Sequence, residues 1–355
     1  MIDINEFYGD KELRWFQIAA RNQTNMALAE GKKRILITIP TGGGKTLTIA
    51  CTICSDELKH ILNVHDRPLR VLFIAHNHRL LTQAEKTFLK DSDIELTLQS
   101  MMSEIPEKVI KKGWDIAILD EAHHESCLSM QYHLENMNAP LIGLTATQDR
   151  NDGMMLKFDA FIEPITRSEA VEQGYLASTY LNTFVDGSER SKVEIIKDIL
   201  DNYAHEMNGT IIFVRTKVEV AQIADYIIKL GYPAVGLLEQ SHTEVDNILN
   251  SFSDGHVQFL VCCQKLSEGI DVKGCHSVVI GRTVASYQLL NQMIGRASRP
   301  DCPCHIYEIV DPLSKDNIDT TAVVGIPESH KLIYFSRGKW CEEYFDYTRV
   351  STTRT

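Results

Sequence analysis

No stretch of this 355-residue chain approaches the roughly 18 consecutive apolar residues that a bilayer-spanning helix needs, so a membrane-embedded protein is not expected. The first residues, Met1-Ile2-Asp3-Ile4-Asn5-Glu6, bring acids early and carry no apolar run. They read as neither a secretory signal nor an amphipathic transit peptide. Nine cysteines form an odd count without such a signal, which predicts reduced thiols and a soluble, cytoplasmic setting. Positive charge is also in short supply: 36 Lys and Arg face 48 Asp and Glu, leaving −12. The deficit is shared between the two halves, so neither is a basic arm of the kind that clamps nucleic acid or an acidic membrane by charge alone. Low-complexity segments and short-period repeats are missing, and so is any recognisable nuclease, zinc module or dimerisation segment. A monomer is compatible with this pattern.

What is present is an alternation of short apolar runs and amphipathic segments, the pattern of βαβ units on a parallel sheet. Strands are predicted at 35–39, 71–74, 94–98, 116–119 and 140–144, with a helix beginning near Lys45. A polar stretch, Asp186-Gly187-Ser188-Glu189-Arg190, interrupts the series and reads as a linker. The pattern then restarts with a helix over about 191–206 and strands at 211–214, 234–238, 259–262, 278–280 and 306–310. The expected architecture is therefore α/β, with two tandem parallel-sheet domains over residues 1–185 and 186–355.

The strongest motif is Pro40-Thr41-Gly42-Gly43-Gly44-Lys45-Thr46, between a buried strand and a helix. Three glycines let the backbone turn its N–H groups toward a polyphosphate, and the helix presents its N-terminus to the same anion. Lys45 is then placed to reach the β- and γ-phosphates of ATP, and the Thr46 hydroxyl to ligate Mg²⁺. The general P-loop pattern has Gly where this chain has Ile39. The second motif, Asp120-Glu121-Ala122-His123, closes the run 116–119. A carboxylate at the carboxyl end of a parallel strand lies on the ligand edge of such sheets. Asp120 is expected to hold the Mg²⁺ shell, and Glu121 to orient or deprotonate the attacking water.

The order of these two motifs with Thr145-Ala146-Thr147, Glu268-Gly269-Ile270-Asp271 and Gln292-x-x-Gly295-Arg296-x-x-Arg299 resembles the motif series of superfamily 2 helicases. Leu13-Arg14-Trp15-Phe16-Gln17 and Gly143-Leu144-Thr145-Ala146-Thr147 resemble the DEAH-type branch of DNA-repair translocases and restriction motors. The resemblance covers about residues 13–310. It implies two RecA-like domains with ATP and Mg²⁺ in the cleft between them. By that resemblance Arg14 and Gln17 read the adenine, and His123 and Gln292 sense the γ-phosphate. Thr145 and Thr147 couple this to the nucleic-acid side, Gly269 and Asp271 approach the ribose, and Arg296 and Arg299 are arginine fingers, spaced i and i+3 on one helical face. Looser motifs supply expected nucleic-acid contacts at His76 and Arg79, at Gln99 and Ser100, and at Val214, Arg215 and Thr216, all at strand ends suited to phosphate contact. Gln148 and Lys273 stand where relatives usually carry Pro.

The implied function is an ATP-dependent helicase or translocase, on DNA in preference to RNA. An RNA-dependent ATPase and a nonhydrolysing nucleotide-switched clamp are the alternatives; intact Glu121, Arg296 and Arg299 speak against the clamp. Such a motor grips and releases in each cycle, so the acidic balance predicts a local electropositive track and not a basic face. Cys51-x-x-Cys54 is expected to pack as a helix interior. Cys302-Pro303-Cys304-His305 offers three candidate metal ligands, too few for a structural zinc site without a fourth.

Overall fold

The computed structural model describes residues 6–76, 78–88, 93–101, 112–122, 137–146, 157–188, 190–263, 272–284, 286–300, 302–312 and 318–347, without the side chains of residues 78, 79, 242 and 288. Two compact units are present, Met1–Thr166 and Arg167–Thr355. Among the described residues no helix is long and apolar enough to cross a membrane.

In the first unit a two-stranded hairpin, β1 (Phe7–Tyr8) and β2 (Lys11–Glu12), precedes helix α1 (Trp15–Ala29). The chain continues through β3 (Arg34–Thr38), α2 (Lys45–Ile53), α3 (Asp56–Ile61), β4 (Leu69–Ala75), α4 (His78–Thr87), β5 (Ile94–Ser100), β6 (Ile116–Leu119), β7 (Leu141–Thr145) and β8 (Ala160–Ile162). The last six strands form one parallel sheet in the order β5-β4-β6-β7-β3-β8. Its central strands are buried on both faces; Ile35, Leu36, Ile37, Ile116, Ala117, Ile118 and Leu119 are fully enclosed. Unbroken apolar runs, with no polar alternation, are what covered parallel strands require. The chain leaves β3 toward β4 but leaves β7 back across β3 to β8, so these neighbours form a topological switch point, where such sheets open a crevice at their carboxyl ends.

The second unit begins with α5 (Arg167–Glu172) and β9 (Thr179–Val185). It continues with α6 (Lys192–Tyr203), β10 (Thr210–Phe213), α7 (Lys217–Lys229), β11 (Ala234–Leu237), α8 (His242–Ser253), β12 (Phe259–Cys262), β13 (Ser277–Ile280), α9 (Tyr287–Ile294), β14 (Cys304–Val310), α10 (Thr321–Val324), β15 (Ser329–Ser336) and β16 (Lys339–Tyr344). Its sheet runs β11-β12-β10-β13-β14-β9-β15-β16, parallel except for the β15–β16 hairpin. Side chains of α6 and α7 pack on one face and those of α8, α9 and α10 on the other. Three of these helices start at a reciprocal capping box legible in sequence: Ser191 with Glu194, Thr216 with Glu219, and Ser241 with Glu244.

The units divide at 166/167, ahead of the boundary expected at 185/186. The physical reason is β9, which pairs along its whole length with β14 and β15 and so belongs to the second sheet. Nor is 186–190 a linker. Asp186 accepts hydrogen bonds from Ser188 N (2.8 Å) and Arg190 Nε (2.8 Å), and Arg190 Nη1 reaches Asp198 at 2.7 Å. The Arg190 guanidinium lies 3.9 Å from the Phe335 ring centroid, and Trp340 Nε1 donates to the same Asp198 carboxylate at 2.9 Å. This polar knot joins the β9–α6 turn to the C-terminal hairpin. Arg190→Ala should cost the second unit about 2 kcal/mol, the size of hydrogen bonds to charged groups, read as a lower urea midpoint. An unchanged midpoint would make the knot ornamental.

Candidate nucleotide-binding site

The Gly-rich turn sits where β3 delivers it, at the carboxyl end of a central strand, with Lys45 as the first residue of α2. Gly42 and Gly44 hold φ values of +89° and +87°. These are left-handed conformations that side chains resist. A Cβ on Gly44 would also come within 2.6 Å of Gln17 Nε2, so the Gln17 amide would have to give up its place against the turn. Gly43 N donates to Pro40 O at 2.9 Å and closes the turn.

Across the edge, Asp120 and Glu121 follow β6. Lys45 Nζ stands 3.7 Å from Glu121 Oε1, both side chains largely shielded from solvent at 12% and 17% exposure. The two motifs, remote in sequence, therefore meet. Asp120 is buried and accepts a hydrogen bond from Glu121 N at 3.0 Å. Glu121 itself adopts φ +52°, an uncommon conformation for a residue with a Cβ, costing about 1–2 kcal/mol. Such strain persists where the surrounding structure imposes it, characteristically at functional positions. Burial, reinforced by the Glu121 carboxylate beside it, pushes the Asp120 carboxyl up to about 7, against the opposing pull of Lys45 and the Glu121 N–H. A cation bound beside this buried carboxyl would favour its charged form. The glycine cradle, the lysine and this carboxyl fit a nucleoside triphosphate and a divalent ion, with Thr46 and Asp120 as the residues able to hold the metal.

The Gln17 amide is engaged within the first unit. Its Oε1 accepts from Arg14 N (3.0 Å) and its Nε2 donates to Gly43 O (3.2 Å), while the side chain is only 2% exposed. Here it caps α1 and braces the glycine turn, and neither end of its amide is turned outward. Arg14 is half-buried, its guanidinium 5.9 Å from the Phe16 ring centroid. The brace was not legible in sequence, because it joins residues 26 positions apart through a backbone carbonyl.

Thr145 ends β7 as a buried residue whose carbonyl accepts from Ile39 N at 3.1 Å. His123, Thr147, Gly269 and Asp271 lie outside the described residues, as does the Arg79 side chain. His76 follows β4 and is half-buried; Gln99 and Ser100 end β5, and Ser100 is buried. In the second unit, Val214 does not offer a nucleic-acid contact: its side chain is in the core and its N–H donates to Cys262 O at 2.9 Å. The N–H groups of Arg215 and Thr216 both donate to Glu219 Oε2, at 2.7 and 3.0 Å, and the Thr216 hydroxyl accepts from Glu219 N. The capping box of α7 consumes the backbone donors and leaves the exposed Arg215 guanidinium.

Gln292 lies buried in α9. Arg296 and Arg299 do not share a helical face, because α9 ends at Ile294. Beyond it the N–H groups of Arg296 and Ala297 bond three residues back, to Met293 O and Ile294 O, and the Ser298 hydroxyl donates to Ile294 O at 2.9 Å. That hydroxyl is a second C-terminal cap, and it turns the chain out of the helix. Ser298 Oγ also accepts from Arg167 Nη2 at 2.9 Å, and Ser298 O from Ala177 N at 3.2 Å. The two arginines thus stand on either side of a pinned serine.

Eight cysteines fall among the described residues, all free thiols. Cys51 is buried in α2 and its thiol is pushed up to about 11 by burial, as expected of a helix-interior residue. Among the described residues no group of three or more His, Cys, Asp or Glu is arranged to hold a metal.

Two family models match the chain: "Type III restriction enzyme, res subunit" over residues 10–95 and "Helicase conserved C-terminal domain" over 191–301. Among curated proteins it resembles the ATP-dependent helicase IRC3 of Saccharomyces cerevisiae, 24% identical over 383 residues, covering 91% of this chain and 55% of that protein. It also resembles the type I restriction enzyme EcoAI endonuclease subunit of Escherichia coli, 24% identical, covering 83% of this chain and 45% of that one. The chain thus spans about half the length of the curated relatives it matches. Among solved structures, a fragment of an HsdR subunit of a type I restriction enzyme from Vibrio vulnificus superposes with a TM-score of 0.71 at 20% identity, over 92% of this chain and 70% of that one. Both units have the RecA-like fold of these neighbours, and the chain is similar to ATP-dependent helicases and to the motor subunits of restriction enzymes.

Proposed function

We propose that this chain is a nucleic-acid-dependent ATPase, an ATP-driven helicase or translocase working on DNA. The observation that carries the reading is the meeting of Lys45 with Glu121 across the switch-point edge of the first unit, beside a buried Asp120. Lys45 and the glycine turn hold the phosphates, Thr46 and Asp120 hold Mg²⁺, and Glu121 orients the attacking water. Mg²⁺, when bound, neutralises phosphate charge. Arg14 reads the base, with Gln17 joining it only by giving up its brace on Gly43. His123, Gln292, Thr145 and Thr147 belong to the relay between nucleotide and strand. Gly269, Asp271, Arg296 and Arg299 are the second unit's nucleotide contacts that the family resemblance implies. The motor domains are taken as residues 1–166 and 167–355. The restriction-enzyme relatives favour DNA as the track, and the free thiols agree with a reducing intracellular setting.

ATPase rates without nucleic acid and with single-stranded, duplex or branched DNA or RNA test this reading. Stimulation by DNA above RNA is the expected result; stimulation by RNA alone would move the chain to the RNA-dependent class, and no stimulation would leave only the clamp.

Proton and Mg²⁺ compete for Asp120, and the sign follows from the raised carboxyl. Its protonated form favours the fold, a contribution complete below its ordinary value of 3.8 and lost as pH rises through about 7. Only the carboxylate takes the metal. Mg²⁺ affinity of the nucleotide complex should therefore weaken about tenfold from pH 8 to pH 6, and Asp120→Asn should abolish that dependence. Isothermal titration at the two pH values decides; a flat profile would take Asp120 out of the metal shell.

A further inference from the structure

The carboxyl edge of the second unit gathers three cations that arrive from separate elements. Arg215 follows β10, Arg282 follows β13, and Lys192 opens α6, the helix after β9. Gly281 brings two of them together: its N–H donates to Phe213 O at 2.8 Å, and a Cβ there would stand 2.4 Å from Ile196 Cδ1 and 3.1 Å from Phe213 O. The chain leaving β13 is thereby pressed against the end of β10. Arg282 then reaches across that end to donate Nη1 to Cys263 O at 3.1 Å, just past β12. Lys192 Nζ donates to the exposed Thr283 hydroxyl at 3.0 Å. Burial pushes the Lys192 amine down and neighbouring Arg215 adds to this, while Asp311 and Glu219 pull the other way.

None of these three cations forms an ion pair among the described residues, although acids outnumber bases in the chain by 12. Elsewhere in the same unit Lys217 stands 2.5 Å from Glu239 and Arg190 2.7 Å from Asp186. Asp311 draws on Lys192 through space without closing an ion pair with it, and two further acids near the set are engaged or neutralised. Glu219 is spent on the two N–H groups that start α7. Glu308, which lines one cleft with Arg282 and Thr283, accepts from Thr183 and Thr320, and burial pushes its carboxyl up toward the neutral form. Arg282 Nε is buried and donates no hydrogen bond among the described residues. Like charges retained at one edge with spare donors call for an external anion.

We propose that Lys192, Arg215 and Arg282, with the Thr283 hydroxyl, form a phosphate-binding set that grips the backbone of the nucleic-acid strand. This rests on the nucleic-acid-dependent reading above and names its track in the second unit. The set is separate from the nucleotide's arginines: α9 runs from the carboxyl end of β13 to the amino end of β14, so Arg296 and Arg299, beyond its last turn, lie toward the opposite edge of the sheet. Sequence carried a signal for Arg282 and Thr283, which follow an apolar strand as closely as Arg215 does. Lys192 carried none beyond its place after a cap.

The test is fluorescence anisotropy of a labelled oligothymidylate with the full chain and a nonhydrolysable ATP analogue, across a series of salt concentrations. Each lost phosphate contact should flatten the log–log salt dependence by about 0.7, equivalent to about fivefold weaker binding at 0.1 M salt with convergence near 1 M. Lys192→Ala and Arg282→Gln should each show this and the double variant twice the change in slope. Lys229→Ala, an exposed cation at the far end of α7, should leave the slope alone. If Arg282→Gln lowers the melting temperature, Lys192→Ala with Arg215→Ala decides. Unchanged slopes, an equal effect of Lys229→Ala, or a loss of affinity for the ATP analogue itself would overturn the assignment. Absence of binding by the unaltered protein would end the nucleic-acid reading too, whereas binding with unaltered slopes would end this one alone.

Discussion

Glu121→Gln should bind ATP and hardly cleave it, whereas Lys45→Ala should lose turnover through loss of the phosphates themselves. Lys45 leads out of the glycine turn as the first residue of α2, and Glu121 faces it at 3.7 Å. The amine is a point charge for a transferring phosphoryl group, so its removal takes away ground-state and transition-state stabilisation together. In the proposed mechanism the carboxylate acts on water. Its amide replacement keeps the size and the strained backbone but gives up the base, a loss of about 10²- to 10⁴-fold in rate, or roughly 3–5 kcal/mol of barrier at 1.4 kcal/mol per tenfold. Single-turnover hydrolysis and equilibrium binding of a fluorescent ATP analogue separate the two variants. Hydrolysis by Glu121→Gln within a few fold of the unaltered protein would remove Glu121 from its role.

The parts of this site that were legible in sequence are those written in short contiguous runs. Ile116-Ala117-Ile118-Leu119 announces a covered strand, and Asp120-Glu121 at its end announces a ligand edge, because both signals are local. The ten strands read from the sequence are found within a few residues of their expected ends. What escaped is non-local. β9 interleaves polar and apolar residues although it is mostly buried, β15 is mostly half-buried and β16 is mostly exposed, so no clean period marks them. Their partners are set by the sheet order, which sequence spacing does not encode. The segment 186–190 has a linker's composition, but its charges close on Asp198 and on two rings from the last hairpin.

Backbone accounting explains most of the remaining differences. A short polar stretch after a strand suggests free N–H groups for phosphate, and the helix that follows competes for those donors. At 214–216 the ladder and the capping box take them first, so the candidate that survives is a side chain, Arg215. At Gly44, by contrast, the N-cap is a glycine with no side chain to accept from the first turn of α2. That helix is left able to receive an anion. The same accounting therefore sets the nucleotide site on one helix N-terminus and withdraws the backbone from another.

Replacing Arg296 or Arg299 with Ala, and also with Lys, should lower nucleic-acid-stimulated hydrolysis by orders of magnitude while ATP binding to the first unit survives. The basis is not a shared helical face, since α9 stops at Ile294. Both side chains instead leave an irregular turn whose middle residue, Ser298, is held by Ile294 O, by Arg167 Nη2 and by Ala177 N. A turn fixed this way can aim two guanidinium groups without helical spacing, and holding the backbone lowers the entropy cost of ordering the side chains. An arginine supplied to a transferring phosphoryl group is worth about 10³ to 10⁵ in rate, roughly 4–7 kcal/mol. The competing possibility, surface ion pairing, contributes less than about 1 kcal/mol and would leave turnover nearly unchanged. The gap between these magnitudes makes the experiment decisive. Lys should fail with Ala because a point charge does not reproduce the planar fork. Ser298→Ala adds a finer reading: loosening the turn should lower the maximal rate by a smaller factor than loss of either arginine, with little change in the Michaelis constant for ATP. Stimulated turnover within a few fold of the unaltered protein in both Ala variants would sink the proposed catalytic role of the two arginines and return the chain to a nucleotide-switched clamp.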